Sequence, residues 1–247
     1  MSTLRGDAQR VLVIASVVCA GVVVVVQREF TLGYDALLRS GVLFGLTTVF
    51  VLRFLHLHPH ARFGLANVVT LLRGCFTVLL GAFINEPEAT SSAAWVLVVV
   101  ATAVACADAL DGMIARSSGL HSAFGARFDM EVDALFILVL CVLVFEQDKA
   151  GIWIIAIGAM RYVFVVSGWI IAALGRQLPP SKRRQTVCVI QVAVLISCLA
   201  PVLERPTTTV LVLAALCLLV YSFARDIHWL LRLTAPLEKS VWRHGNL

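Results

Sequence analysis

Asp108 and Asp111 stand three residues apart, and Asp129 and Asp133 four apart, within ADALDGMIARSSGLHSAFGARFDMEVDAL, Ala107 to Leu135. On helices these offsets turn each pair onto one face, about 60° and 40° apart around the axis. The intervening SSGLHSAFG contains Gly119 and Gly125 and can fold two helices back antiparallel, so that all four carboxylates face one another. Such a group cannot stay fully ionised alone, because like charges repel and removal from water adds a desolvation cost. Two divalent cations would cancel the charge. All-oxygen ligation with no neighbouring cysteine selects a hard ion, Mg²⁺ or Mn²⁺, over Zn²⁺. Two other readings compete: interfacial ion pairs with Arg116 and Arg127, and a cation or proton pathway through a transporter or channel. Two arginines do not balance four aspartates, and Glu131 adds another acid nearby.

The elements that must carry these acids are membrane helices. The chain is 60% hydrophobic and only 14% charged, and apolar runs of spanning length recur along it. No alternation of the kind that builds a barrel appears. The expected fold class is all-α and polytopic, with eight helices near Ala8–Val26, Tyr34–Leu55, Phe63–Ile84, Ala93–Leu110, Ala126–Phe145, Gly151–Leu174, Val187–Leu203 and Thr207–Leu231. The first run lacks a small-residue cleavage site and reads as a retained helix. The linker LHLHPHARFG, Leu55 to Gly64, divides a two-helix extension (1–62) from a six-helix core (63–247). Its His56, His58 and His60 alternate without a further ligand and read as an interfacial linker. Arg39 reads as snorkelling outward from the second helix.

Loop charge sorts by side. Arg53, Arg62, Arg116, Arg127, Arg176, Lys182, Arg183, Arg184 and Arg225 fall on one side, with only Arg28, Lys149 and Arg205 on the other. Positive loops face the cytoplasm, which puts both termini and the acidic turn there, in a membrane of the bacterial inner-membrane kind. A pI near 9.0 then reflects basic loops against anionic lipid, not nucleic acid. The seven cysteines lie in apolar segments without a CxxC pair and read as small packing residues.

The acidic stretch resembles the signature of the CDP-alcohol phosphatidyltransferase family, D-x2-D-G-x2-A-R-x8-G-x3-D-x3-D. It matches at Asp108, Asp111, Gly112, Ala115, Arg116, Gly125, Asp129 and Asp133. The resemblance covers about Phe63 to Leu231. It implies that Asp108, Asp111 and Asp129 are metal ligands for two Mg²⁺ or Mn²⁺ ions, and that Asp133 completes the second ion's shell and is the general base. Gly112, Ala115 and Gly125 would let a nucleotide lie against the backbone, and Arg116 would meet the diphosphate or stabilise the turn.

Asn67, Thr70 and Arg73 in ANVVTLLRG resemble the family's N-x2-T-x2-R stretch beside the nucleotide; a helix cap and tolerated packing are the plain alternative. Arg161 resembles the arginine of the acceptor cavity, with an ion pair to the acidic motif as its structural alternative. Lys182, Arg183 and Arg184, with Pro180, Ser181 and Thr186, resemble a phosphate-binding P-S-x2-G-K-x2-T segment that here lacks its glycine; a bare cluster of cytoplasmic-side charge is the equal alternative.

The activity this implies is transfer of a phosphatidyl group from CDP-diacylglycerol to a small alcohol, phosphorylated or not, with release of CMP. The reverse arrangement, a CDP-linked choline or ethanolamine headgroup transferred to diacylglycerol, shares the signature. A transporter would spread its acids along a route through the membrane, whereas these cluster at one turn. Membrane lipids are the expected surroundings and a homodimer the expected assembly, with no nucleic-acid partner. A truncation lacking residues 1–55 is expected to keep its chemistry.

Overall fold

The computed structural model describes residues 2–59, 62–118, 122–171, 174–176, 178–179 and 181–241, with side chains described outside 2–3, 109–118 and 233–241. Helices account for the fold, and no strand occurs among the described residues. In order they are α1 (Ser2–Glu29), α2 (Asp35–Phe54), α3 (Leu65–Gly81), α4 (Pro87–Ser92), α5 (Ala94–Ser118), α6 (Ala123–Glu146), α7 (Ile155–Ile170), α8 (Lys182–Leu199) and α9 (Thr207–Val241). Short 3₁₀ turns at Leu55–Leu57 and Ile152–Ile154 follow α2 and lead into α7.

The eight expected helices are all present, and the short α4, opened by Pro87 in its first turn, joins them. Among the described residues, four segments are long and apolar enough to cross a bilayer: Leu4–Glu29, Asp35–Leu57, Ile152–Ile170 and Thr207–Arg232. Their outer faces carry bare aliphatic and aromatic groups, such as Val17 on α1, Leu38 on α2, Trp169 on α7 and Val210 on α9. Surfaces of that kind are stable against lipid and not against water, and helices satisfy their backbone polar groups internally there. The chain is an integral membrane protein.

Three boundaries differ from expectation in ways that matter. α5 continues to Ser118 where an end near Leu110 was expected, and α6 opens at Ala123 instead of Ala126. Ser122 explains the early start: its extended backbone and hydroxyl, which accepts the Gly125 N–H at 2.9 Å, cap the first turn. The aspartates therefore stand inside helices and not at their tips. α8 begins at Lys182, ahead of the expected Val187, so the basic cluster occupies its first turn. Cations there oppose the helix dipole, and α9 supplies the compensating acid described below.

α3 is the central strut. It packs against both α5 and α6, and α8 closes their other side. A large apolar core joins them, with Leu80 from α3, Leu97, Ala101 and Val104 from α5, Phe136, Leu140 and Leu143 from α6, and Leu195 and Leu199 from α8. α7 lies close on α6 at Gly158, where an added Cβ would come within 2.7 Å of the Leu138 Cα. Gly158→Ala is accordingly expected to cost about 1–3 kcal/mol of overpacking, read as a lowered melting temperature of detergent-purified protein. An unchanged melting temperature would show that α7 does not hold this contact.

The first two helices pack on the rest through a second core: Leu4, Ala8 and Leu12 of α1 and Val51 of α2 meet Phe63, Leu71, Phe124, Phe128 and Val132. Arg39 does not snorkel outward. It is 15% exposed and turns inward to pair with Glu86 at 3.0 Å, donates to the Ala82 carbonyl and also meets Asp35. An arginine with two carboxylates and a carbonyl within reach has no reason to seek the lipid headgroups. Of the seven cysteines, Cys19, Cys141 and Cys198 are buried among packed helices, Cys75 and Cys188 are half-buried, and Cys106 and Cys217 are exposed.

Candidate functional site

α5 brings Asp108, and α6 brings Asp129 and Asp133, to one point where a carboxylate oxygen of each lies within 4.8 Å of the others. One residue between Asp129 and Asp133 would turn away; four residues brings them back to the same face. Between the three carboxylates lies the guanidinium of Arg73 from α3. Its Nη1 is 3.0 Å from Asp108 and 2.6 Å from Asp129, and its Nη2 donates to Asp133. Arginine suits this place because its planar fork presents five N–H groups and can serve several carboxylates at once.

Burial divides the cluster into an anchor and a working face. The Arg73 side chain is 2% exposed, whereas Asp108, Asp129 and Asp133 are 43%, 36% and 29% exposed. A single guanidinium offsets one of the three negative charges and leaves carboxylate oxygens turned to open space. Several oxygen ligands with residual negative charge and access from solvent fit a hard divalent cation. The open space is a cavity of about 360 Å³. Arg73, Asp108 and Asp133 form its polar end; Phe136 of α6 and Val189, Val192 and Ile196 of α8 form an apolar wall, with Thr102 and Ser197 further along. From Cys188 to Ser197 that wall runs about 13 Å at the helical rise of 1.5 Å per residue.

The remaining candidates sort differently. Asp111, Gly112, Ala115 and Arg116 belong to α5, but their side chains lie outside the described residues. Asn67 and Thr70 are buried and hydrogen-bond within their own helix region, Asn67 to the Phe63 carbonyl and Thr70 to that of Ala66 at 3.1 Å. Gly125 makes a close approach possible, since an added Cβ would stand 3.0 Å from both the Asn67 Oδ1 and the Ser122 Oγ. Arg127 lies over the Phe54 ring, 5.5 Å from its centroid, and not among the acids. Arg161 pairs with Glu131 at 2.6 Å. Arg183 reaches α9, with 2.6 Å to both the Ser222 carbonyl and hydroxyl and 2.5 Å to Asp226. Arg184 approaches the same Asp226 at 3.7 Å and donates to the Pro179 carbonyl. Lys182 is exposed.

Sequence reasoning missed the central place of Arg73 and the parts of Glu131 and Asp226 as partners. Arg73 stands in step with Asn67 and Thr70 at intervals of three, which was the available sign that it faces the same way. Asp226 left a fainter one, as the one acid within the apolar stretch Thr207–Leu231 of α9.

Taken together, the helices and the site define an integral membrane protein with a cluster of carboxylates, able to hold a hard cation, beside a largely apolar cavity. The family model for CDP-alcohol phosphatidyltransferase matches residues 63–233, and the chain belongs to that family. No curated protein matches it, and no solved structure does. Membership makes the chain a transferase of phospholipid synthesis working within the membrane, in a family that depends on divalent metal. The transporter alternative falls with it.

Proposed function

We propose that the protein moves a phosphatidyl group from CDP-diacylglycerol to a small alcohol and releases CMP. The observation that carries this reading is the carboxylate cluster at the mouth of a cavity whose further wall is apolar. A substrate with a diphosphate at one end and acyl chains at the other matches both ends of that space.

Asp108, Asp111, Asp129 and Asp133 hold two Mg²⁺ or Mn²⁺ ions in this proposal. When bound, such ions stabilise charge on the diphosphate and on the departing CMP and polarise the acceptor hydroxyl. Asp133 takes the hydroxyl proton as the acceptor oxygen bonds to the phosphorus on the diacylglycerol side. The bond from that phosphorus to the bridging oxygen breaks, and CMP leaves with that oxygen. Arg73 keeps three of the carboxylates convergent. Asn67, Thr70, Gly112, Ala115, Arg116 and Gly125 form the nucleotide side. Arg161, Lys182, Arg183 and Arg184 form the acceptor side, where a phosphorylated acceptor would compete with Glu131 and Asp226 for the arginines. Residues 63–247 are the catalytic core and 1–62 an extension. Basic loops set the site and both termini toward the cytoplasm, in an inner membrane of bacterial type, and the working form is a homodimer.

The test is incubation of purified protein with CDP-diacylglycerol, Mn²⁺ and a panel of plain and phosphorylated alcohols, with products read by mass. A phosphatidyl alcohol and CMP are expected, lost in chelator and restored by Mg²⁺ or Mn²⁺. Product only from CDP-choline or CDP-ethanolamine with diacylglycerol would reverse donor and acceptor. Product from neither set, with inserted and folded protein, would overturn the reading.

A further inference from the structure

The helices that precede the family match are fastened to the acidic site at specific atoms. His58, just after the 3₁₀ turn that ends α2, places its Nε2 2.9 Å from the Arg62 carbonyl and its Nδ1 3.2 Å from the Ser122 hydroxyl. A carbonyl only accepts, so Nε2 carries the hydrogen, and in the neutral imidazole Nδ1 then accepts from the Ser122 O–H. That leaves the Ser122 oxygen as acceptor for the Gly125 N–H, the bond that caps α6. His58 therefore orients the group that starts the helix bearing Asp129 and Asp133.

Aromatic packing reinforces the link. The His58 ring meets Phe124 edge-on at 5.5 Å, Phe124 stacks with Phe128 at 5.8 Å, and Phe50 of α2 stacks on Phe128 at 6.3 Å. Phe128 immediately precedes Asp129. A second fastening serves α3, whose approach begins at Phe63: its N–H donates to the Asp7 carboxylate of α1 at 2.9 Å. At the far end of α3, Glu86 accepts from the Gly33 N–H at 2.8 Å and holds Arg39. Two of the three helices that meet in the Arg73 cluster, α3 and α6, are thus tied to residues 1–62.

We infer that the N-terminal extension is a brace that sets α3 and α6 in register for the acidic site, with His58 as its positioning residue. The inference rests on the proposed role of Asp129 and Asp133 as cation ligands. Packed networks of this kind transmit effects worth about two- to thirtyfold in affinity. Removing residues 1–55, which carry Asp7, Gly33, Arg39 and Phe50, then weakens the site, in contrast to the independent core expected from sequence.

The experiment measures Mn²⁺ binding to the full-length, detergent-purified protein by electron paramagnetic resonance, together with its melting temperature in chelator. His58→Ala is expected to weaken Mn²⁺ binding roughly two- to thirtyfold, and His58→Gln, which keeps a donor and an acceptor, to recover most of it. Val17→Ala, on the lipid face of α1, is expected to bind as the parent does. A folded His58→Ala protein with parental Mn²⁺ affinity overturns the brace. Failure of the parent itself to bind Mn²⁺ overturns the cation site instead, which keeps the two ideas apart. Should His58→Ala not survive purification, Asp7→Ala is read by the same measure: weakened binding supports the brace and parental binding overturns it.

Discussion

Asp133→Asn is expected to insert, fold and bind nucleotide, yet release CMP about 10²–10⁴-fold more slowly than the parent, the usual worth of a positioned general base. The amide keeps the shape of the carboxylate, and its oxygen can still accept from the Arg73 Nη2 that now reaches Asp133. The local packing of α6 against α3 is therefore retained. What disappears is the negative charge at the polar end of the cavity, and with it the group able to take a proton from an alcohol. Asp133 is the more enclosed of the two α6 aspartates, which leaves less water to substitute for it. The measurement is CMP release in detergent at saturating Mn²⁺, beside nucleotide binding by the same preparation. Near-parental release would remove Asp133 from the base role and return the choice to its neighbours.

The acids were legible because charge is rare in this chain, and three- and four-residue spacings have one meaning on a helix. Asp129 and Asp133 share a face as their four-residue spacing required, and Asp108 meets them from α5, while the side chain of Asp111 lies outside the described residues. Their counter-charge was not legible. Arg73 lies 56 residues from Asp129 and 60 from Asp133, and no local pattern says which helix will lie between α5 and α6. In a soluble protein the apolar stripe of α3 would have named its inward face. Here lipid-facing Leu72 and core-facing Leu71 are the same residue type, because lipid and protein interior are equally apolar. Helix faces in this chain are distinguished chiefly by polar residues, and these were read singly. No local pattern ties Arg183 to Asp226 on α9, or turns Arg39 inward toward Glu86, 47 residues away. The early start of α6 was the more recoverable miss. Ser122 three residues before Gly125 is a capping arrangement in its own right, but the glycine was read as part of the turn.

Arg73→Ala is expected to be the most damaging single change outside the aspartates. Three carboxylates with oxygens inside 4.8 Å would lose the guanidinium that, among the described residues, touches all of them, and a void would open between α3, α5 and α6. Removing one member of a buried, hydrogen-bonded ionic cluster costs about 3–5 kcal/mol, and the partly exposed aspartates place this case toward the lower figure. The loss should be greatest in chelator, where nothing else offsets the acids, and smaller when Mn²⁺ is added. Arg73→Lys separates charge from geometry. A lysine restores the positive charge as a point but not the fork that reaches Asp129 with one nitrogen and Asp133 with the other. It is expected to recover most of the melting temperature in chelator while leaving CMP release at least about tenfold low, because misplaced ligands and base cost rate more than stability. Melting curves with and without Mn²⁺, set beside CMP release for both variants, test the two halves together. An Arg73→Ala protein that melts in chelator as the parent does would mean that the acids are kept apart by solvent alone, and that the arginine has no part in holding them.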